Sequence, residues 1–221
     1  MNPNQHDTLV CLPTLNEEAS IAYMITAVQY EGLPLVVCDG FSTDNTKKIA
    51  EQMGVMVINR KALGKGSAVQ KAIEYALSED YIFLAFIDCD GTYMPHDLRV
   101  VLEQRHSMDM VAGKRPFEKI TLLRRMANYV MNHWFNYLFK ARIHDVVSGM
   151  RVIRLAKFKG RVTAEDFDVD HQLAAIAVAS SMRIQEIPIH YQKRLGNSKI
   201  RLKHLFMILR AMWRDSRHLK K

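Results

Sequence analysis

The sequence predicts an α/β fold: a mostly parallel sheet covered by helices on both faces. Three observations predict it. Short runs rich in Val, Ile and Leu alternate with longer helical segments. These runs are apolar nearly throughout, which marks strands buried on both faces of a parallel sheet. Polar, turn-forming clusters follow three of them, "PTLNEE", "DGFSTD" and "DCDGTY". In such sheets ligands bind beyond the carboxyl ends of the strands, so these clusters are expected to meet in one site.

In chain order, Leu9 to Leu12 reads as a buried strand ending at Pro13, with a helix following from about Glu17 to Tyr30. "LPLVVCDG" is a second strand stopped by Gly40. "STDNTKKIAEQMG" has a Ser or Asp N-cap, helical spacing and a glycine stop at Gly54. "VMVINR" is a third strand, "KGSAVQKAIEYALSE" a helix and "YIFLAFIDCD" a fourth strand. Another strand, "DMVAGKR", precedes a helical stretch from Ile120 to Ala141 that is crowded with aromatics. "HDVVSGMRVIR" is a loop entering a strand, "DFDVDHQLAAIAVASS" a helix and "IQEIPIHYQKR" a strand. The end, "SKIRLKHLFMILRAMWRDSRHLKK", has the pattern of a basic amphipathic helix.

The 221 residues carry a formal net charge of +8. That length suits one domain or one domain plus an appendage. The division expected is residues 1–198 as the body and 199–221 as the C-terminal helix. The positive charge suits a phosphate-rich partner: a nucleotide, a nucleic acid or an anionic membrane. Cys11, Cys38 and Cys89 lie in apolar, strand-like segments with no metal-ligand spacing, which points to reduced, buried thiols. The opening "MNPNQHD" has no signal-peptide apolar region. The longest apolar runs fall well short of the ~18 residues that suggest a spanning helix. A peripheral rather than integral relation to any membrane is therefore expected.

The chemistry starts at Asp88 and Asp90. One residue apart at the end of an apolar strand, they project from the same face, where two carboxylates repel unless a cation joins them. Oxygen donors of this kind suit Mg²⁺ or Mn²⁺, which in turn bridge substrate phosphates. "LPTLNEE", "DGFSTDNT", "GKGSA", "DCDGTY", "SGMR" and "KRLGNSKI" follow one another in that order. As a set they resemble the nucleotide-sugar-dependent glycosyltransferases of family two, which have the Rossmann-like GT-A fold. Within these, the chain is most similar to the dolichyl-phosphate mannose synthase-like and polyprenyl-phosphate glycosyltransferases, over residues 9 to about 204.

The resemblance implies specific roles. Pro13, Leu15 and Glu17 would line the base and ribose pocket, Asp39 would bond the base, and Lys65 would approach the nucleotide. Asp88 and Asp90 would hold the divalent cation on the sugar-nucleotide diphosphate. Arg115, Arg142, Ser148, Arg194 and Lys199 would receive the phosphate of a polyprenyl (dolichyl) phosphate acceptor. Asp90, Arg115, Arg142, Ser148 and Arg194 would then be the residues closest to the chemistry. The donor implied carries mannose or glucose, for example GDP-mannose. Two departures from the family pattern stand out. The usual "DDGSTD" is here "DGFSTD", with Gly40 and Phe41 in place of the second acid and the glycine, and "DADLQ" is here "DCDGT".

An ionised phosphate acceptor needs no general base, because its second pKa is about 6. A sugar hydroxyl acceptor does need one. Glu165, Asp166, Asp168 and Asp170 in "TAEDFDVD" are the candidates for that alternative, though they also suit an acidic helix start. The C-terminal segment carries Arg194, Lys199, Arg201, Lys203, Arg210, Arg214, Arg217, Lys220 and Lys221. Leu202, Leu205, Phe206, Leu209, Met212 and Trp213 recur there at helical spacing. The pattern implies an anchor on the cytoplasmic face of a membrane, with the aromatic stretch around Trp134 as a second possible contact. The sequence has no nucleic-acid-binding motif, and "LGKGSA" lacks the G-x-G-x-x-G form of a dinucleotide site. Nucleic-acid binding and oxidoreductase chemistry are accordingly disfavoured.

Overall fold

The computed structural model describes residues 7–59, 64–195 and 202–219. Its strands are β1 (Thr8–Thr14), β2 (Leu35–Asp39), β3 (Met56–Asn59), β4 (Phe83–Ile87), β5 (Met110–Lys114), β6 (Met150–Arg154) and β7 (Ile184–Pro188). They form one sheet in the order β3-β2-β1-β4-β6-β5-β7. The helices are α1 (Ile21–Tyr30), α2 (Thr46–Gln52), α3 (Lys65–Ser78), α4 (Asp97–Glu103), α5 (Leu122–Phe139), α6 (Leu155–Phe158), α7 (Val169–Ala179) and α8 (Leu202–His218).

Side chains alternate across each strand, so the unbroken apolar runs supply two cores. Val10 and Leu12 pack with Met24 and Ile25 of α1 and with Leu98 and Val101 of α4. Leu9 and Cys11 pack on the other face with Ala72 of α3, Phe135 of α5, Ile176 of α7 and Met212 of α8. Burying one such Leu, Ile or Phe contributes about 1.5–3 kcal/mol. Cys11, Cys38 and Cys89 are buried free thiols, as their apolar settings imply.

The sheet is parallel except at β6, which runs antiparallel to both β4 and β5. The apolar run of β6 does not encode its direction. The path of α5 does, because it delivers the chain to the carboxyl edge of the sheet and β6 must enter from there. The pair Ile87–Met150 therefore falls at the site edge. The loop ahead of β6 arrives beside the acids that leave β4.

α8 packs on α5 and α7 rather than standing apart from the body. Ile208, Ala211, Met212 and Asp215 are buried along one stripe. The Trp134 indole N–H donates to the Leu209 carbonyl at 3.2 Å, and Phe167 lies 5.1 Å from the His204 ring. The opposite side of α8 mixes exposed Phe206, Met207 and Trp213 with Arg210, Arg214 and Arg217. Bases and apolar residues thus share the wet face instead of occupying opposite ones. No helix among the described residues is long and apolar enough to cross a membrane.

Candidate active site

A cavity of about 540 Å³ opens at the carboxyl edge of the sheet. Pro13, Leu15, Glu17, Lys65, Asp88, Asp90, Arg115 and Arg194 line it, so eight of the residues singled out by the sequence meet in one place.

Backbone contacts make this convergence possible. "GKGS" opens α3 against the 164–166 segment: Gly66 N–H donates to the Asp166 carbonyl at 3.1 Å and Ser67 N–H to Glu165 at 3.0 Å. A Cβ on Gly66 would fall 2.1 Å from the Ala164 carbonyl oxygen, so only glycine allows this approach. Gly149 plays the same part for the acids. Its carbonyl accepts from Asp88 N–H at 3.1 Å, and a Cβ there would fall 2.0 Å from Asp88 Oδ2. The Tyr93 hydroxyl accepts from Gly149 N–H at 2.6 Å. "LNEE" and "STDNT" also clasp: Thr43 N–H donates to Asn16 Oδ1 at 2.7 Å, and Glu17 N–H to Thr46 Oγ1 at 2.8 Å.

The charges are paired across the cavity. Lys65 Nζ lies 2.7 Å from Asp88 Oδ1 and 2.8 Å from Asp170 Oδ2. Burial alone would push the Lys65 ammonium down, but the Asp170 and Asp88 carboxylates reverse this and hold it above the ordinary range. Burial pushes the Asp88 carboxyl up, to about 6; Lys65 opposes the rise while Asp170 and Asp90 add to it. Asp90 accepts from Arg194 at 2.6 Å, from Thr92 N–H at 3.0 Å and from Thr92 Oγ1 at 2.5 Å. The other side of the Arg194 fork donates to Glu17 at 2.6 Å. Both acids of "DCD" therefore hold side-chain cations. Their oxygens line one cavity, Asp88 closely backed by Gly149, and as hard donors they fit a divalent ion that would exchange with those cations.

Arg115 is clamped by buried Asp145 through two bonds of 2.7 Å, and a third donor, its backbone N–H, reaches the same carboxylate at 3.1 Å. Burial would lower its pKa; the Asp145 charge overrides this and leaves it well above the ordinary value. Asp145 is itself set by Glu186, which accepts from Asp145 N–H at 2.8 Å and from His144 N–H at 2.9 Å. Arg151, almost wholly buried, donates to the carbonyls of Ser148 (3.1 Å) and Val146 and so splints this loop.

Other expected residues lie elsewhere. Asp39 is buried behind the rim, where it accepts from Ser42 N–H (3.0 Å) and Ser42 Oγ (2.6 Å) and shapes the "DGFST" turn. Ser148 is fully buried, with Met150 N–H donating to its hydroxyl at 3.4 Å. Arg142 borders a second cavity of about 930 Å³, with Lys114, Arg125 and Tyr129. Arg142 and Ser148 thus do not join Arg115 on the first cavity. Lys199 lies outside the described residues. Of the acidic candidates in "TAEDFDVD", Asp166 and Asp170 line the first cavity.

Sequence reasoning missed Asp145, Glu186, Tyr93 and the part of Gly149. A carboxylate within an apolar strand, as in "IQEIP", was the available signal for Glu186. Nothing local marks Asp145, whose partner lies 30 residues away.

Comparison with known proteins gives consistent matches. The model of "Glycosyl transferase family 2" matches residues 9–160. A Haloferax volcanii protein named dolichyl-phosphate hexose transferase is 30% identical over 88% of this chain and 86% of its own length. Glycosyltransferase AglJ of the same organism is 28% identical over 90% of this chain and 68% of its own. Among solved structures, glucosyl-3-phosphoglycerate synthase from Mycobacterium tuberculosis, in complex with Mn²⁺, uridine diphosphate and phosphoglyceric acid, has a similar fold. Its TM-score is 0.78 at 19% identity, covering 96% of this chain and 78% of that one.

Proposed function

Since this chain belongs to glycosyl transferase family 2, we propose that it transfers a hexose, mannose or glucose, from a nucleotide diphosphate sugar to a polyprenyl phosphate. The observation that carries the reading is the pairing of Asp88 and Asp90 with Lys65 and Arg194 inside one cavity. Two carboxylates and two removable cations are what a diphosphate with its divalent ion would replace and rearrange.

The donor lies across the sheet edge, with its diphosphate toward Asp88 and Asp90. Asp88 and Asp90 would hold Mg²⁺ or Mn²⁺ there, which would supply positive charge against the charge that develops on the leaving diphosphate. Lys65, released from Asp88 but still held by Asp170, turns its ammonium to the phosphates. Arg194, released from Asp90, does the same from the other wall. Arg115 keeps its fork on Asp145 and presents its remaining N–H groups to the acceptor phosphate, which is already ionised and attacks without a base.

A lipid acceptor requires a membrane, and the protein is proposed to lie on a cytoplasmic membrane face. Exposed Leu122, Leu123, Met126 and Tyr129 of α5, and Phe206, Met207 and Trp213 of α8, supply apolar area. Arg210, Arg214 and Arg217 supply charge for anionic headgroups. Leu123 is exposed on that flank and also lines the cavity, beside the partly buried Leu205, so a lipid seated there carries its phosphate inward. The name of the Haloferax relative supports the lipid phosphate acceptor.

Asp166 on the cavity wall supports a second reading, transfer to a hydroxyl with Asp166 as base. One assay separates the two. Purified protein with Mn²⁺ is given GDP-mannose or UDP-glucose, together with a polyprenyl phosphate or the matching polyprenyl alcohol. Transfer to the phosphate alone, retained in Asp166→Asn, is expected. Equal transfer to the alcohol, lost in that variant, would move the reading to hydroxyl chemistry.

A further inference from the structure

A second group of metal-type ligands lies outside the cavity. His96 and Asp97 start α4, and His190 follows β7. One donor atom from each residue lies within 4.8 Å of the other two. His190 Nδ1 is 2.9 Å from Asp97 Oδ1, and His96 Nε2 is 3.5 Å from the same oxygen. Tetrahedral bonds of about 2.0–2.1 Å place neighbouring ligand atoms roughly 3.3 Å apart, so these separations bracket what an ion needs. Asp97 is preorganised: its side chain is 5% exposed, and Oδ2 accepts from His190 N–H at 2.7 Å. Such an outer bond fixes a ligating carboxylate. The two imidazoles are largely exposed, leaving the solvent side for water.

The surroundings give the cluster a purpose. Residues 189–195 form a strap laid along the "DCDGT" loop. Ile189 N–H donates to the Lys114 carbonyl at 3.1 Å, Tyr191 bridges to Tyr93, and Gln192 N–H donates to the Thr92 carbonyl at 2.9 Å. Leu195 N–H reaches the Asp90 carbonyl at 3.0 Å, and Arg194 spans Asp90 and Glu17. His190 is the root of this strap, and its side-chain partner is Asp97.

We propose that His96, Asp97 and His190 bind a borderline transition-metal cation of the Zn²⁺ class, which pins the root of the strap to α4. Two imidazole nitrogens and one carboxylate favour Zn²⁺, Co²⁺ or Ni²⁺ over Mg²⁺, whereas the Asp88–Asp90 pair, all oxygen, suits the hard ion. On binding, both imidazoles ligate as neutral rings, with the lone pair of His190 Nδ1, which now faces Asp97 Oδ1 at 2.9 Å, turned to the ion. The site is separate from the proposed transfer chemistry and stands whether or not that reading does.

The test uses tag-free, full-length protein in excess Mg²⁺, titrated with Zn²⁺ by calorimetry and with Co²⁺ by its visible absorption. One equivalent is expected to bind, and the amides of Tyr191 and Gln192 should then exchange more slowly with deuterium. His96→Asn and His190→Asn should each weaken binding at least about tenfold. Asn at 190 keeps a donor for Asp97, and His96 is exposed, so both variants are expected to fold. Asp88→Asn should bind as wild type does. No uptake in excess Mg²⁺, uptake unchanged in both histidine variants, or uptake lost in Asp88→Asn would each overturn the proposal.

Discussion

Asp88 sits where its charge is least welcome, and a measurable pH dependence follows. Its carboxyl is raised from 3.8 to about 6, so the folded protein binds a proton more tightly there than the unfolded chain does. The associated stability is fully present below 3.8 and lost as pH rises through about 6. Asp88→Asn removes that loss. Because 31% of the side chain meets water, the gain in the ligand-free protein at pH 7 is expected to be about 1–2 kcal/mol. Urea unfolding from pH 4 to 7 should show wild type falling relative to the variant across that window, while sugar transfer by the variant is abolished. A wild-type curve parallel to that of the variant would refute the assignment. Phe41 is a second strained residue. It has φ +63° and is 54% exposed, in the turn where the family pattern has glycine. A left-handed conformation costs a non-glycine residue roughly 1–2 kcal/mol, and asparagine tolerates it best. Phe41→Asn should therefore raise the urea midpoint by an amount equivalent to about 1 kcal/mol.

At the scale of the element, α8 is both wall and flank. Asp215 fixes it: His171 Nε2 lies 3.2 Å from the carboxylate, and Gln172 Nε2 (3.3 Å) and Arg214 Nε (2.9 Å) donate to it. Burial would raise its pKa, but the His171 and Arg214 bonds prevail and lower it from 3.8. Its stabilisation is thus present above 3.8 and lost as pH falls through the lower folded value. Asp215→Asn should cost about 1–3 kcal/mol at pH 7, a difference that narrows in strong acid. Cutting the chain at residue 205 would remove buried Ile208, Ala211 and Met212 and bare the faces of α5 and α7 on which α8 packs, so truncation is a poor probe of membrane attachment. Phe206→Ser with Trp213→Ser changes only exposed side chains. That double variant should melt as wild type does and lose most binding to anionic vesicles in a sedimentation assay. Undiminished sedimentation would leave α5 as the contact.

For the whole molecule, the apolar runs specify β1, β2, β4, β5 and β6 because each is buried on both faces, whereas the edge strands β3 and β7 are only partly covered. The placement of "DCD" at the end of one buried run specifies the site edge. Lys65 and Arg194 were legible through their motifs, and so were Asp88, Asp170, Asp90 and Glu17, though not the ion pairs that join them. Asp145 was not legible, since it acts across a separation that no local pattern records, and Glu186 was marked only as a carboxylate within an apolar strand, not by its partners 41 and 42 positions away. His96 and His190 were silent for the same reason: 94 positions apart, they become neighbours only when the β7 exit reaches α4. The helical spacing of "SKIRLKHLFMILRAMWRDSRHLKK" implies apolar residues opposite the bases, whereas packing on α5 and α7 takes Ile208, Ala211 and Met212 and leaves Phe206 and Trp213 among the arginines.

The reversed strand β6 also governs the order in which the chain can assemble. It lies between β4 and β5, pairing Phe83 with Arg154 and Met110 with Ile153. Until residue 154 has been made, β5 has no neighbour through which to join β1 to β4. The first four strands can collapse while synthesis continues, but β5 must wait, and β7 waits on β5. Contacts this distant in sequence form slowly, so closure by β6 is the natural barrier of the folding reaction. Substitutions such as Val152→Ala should accordingly slow refolding more than they speed unfolding, and the nucleotide cavity becomes the last part of the protein to exist.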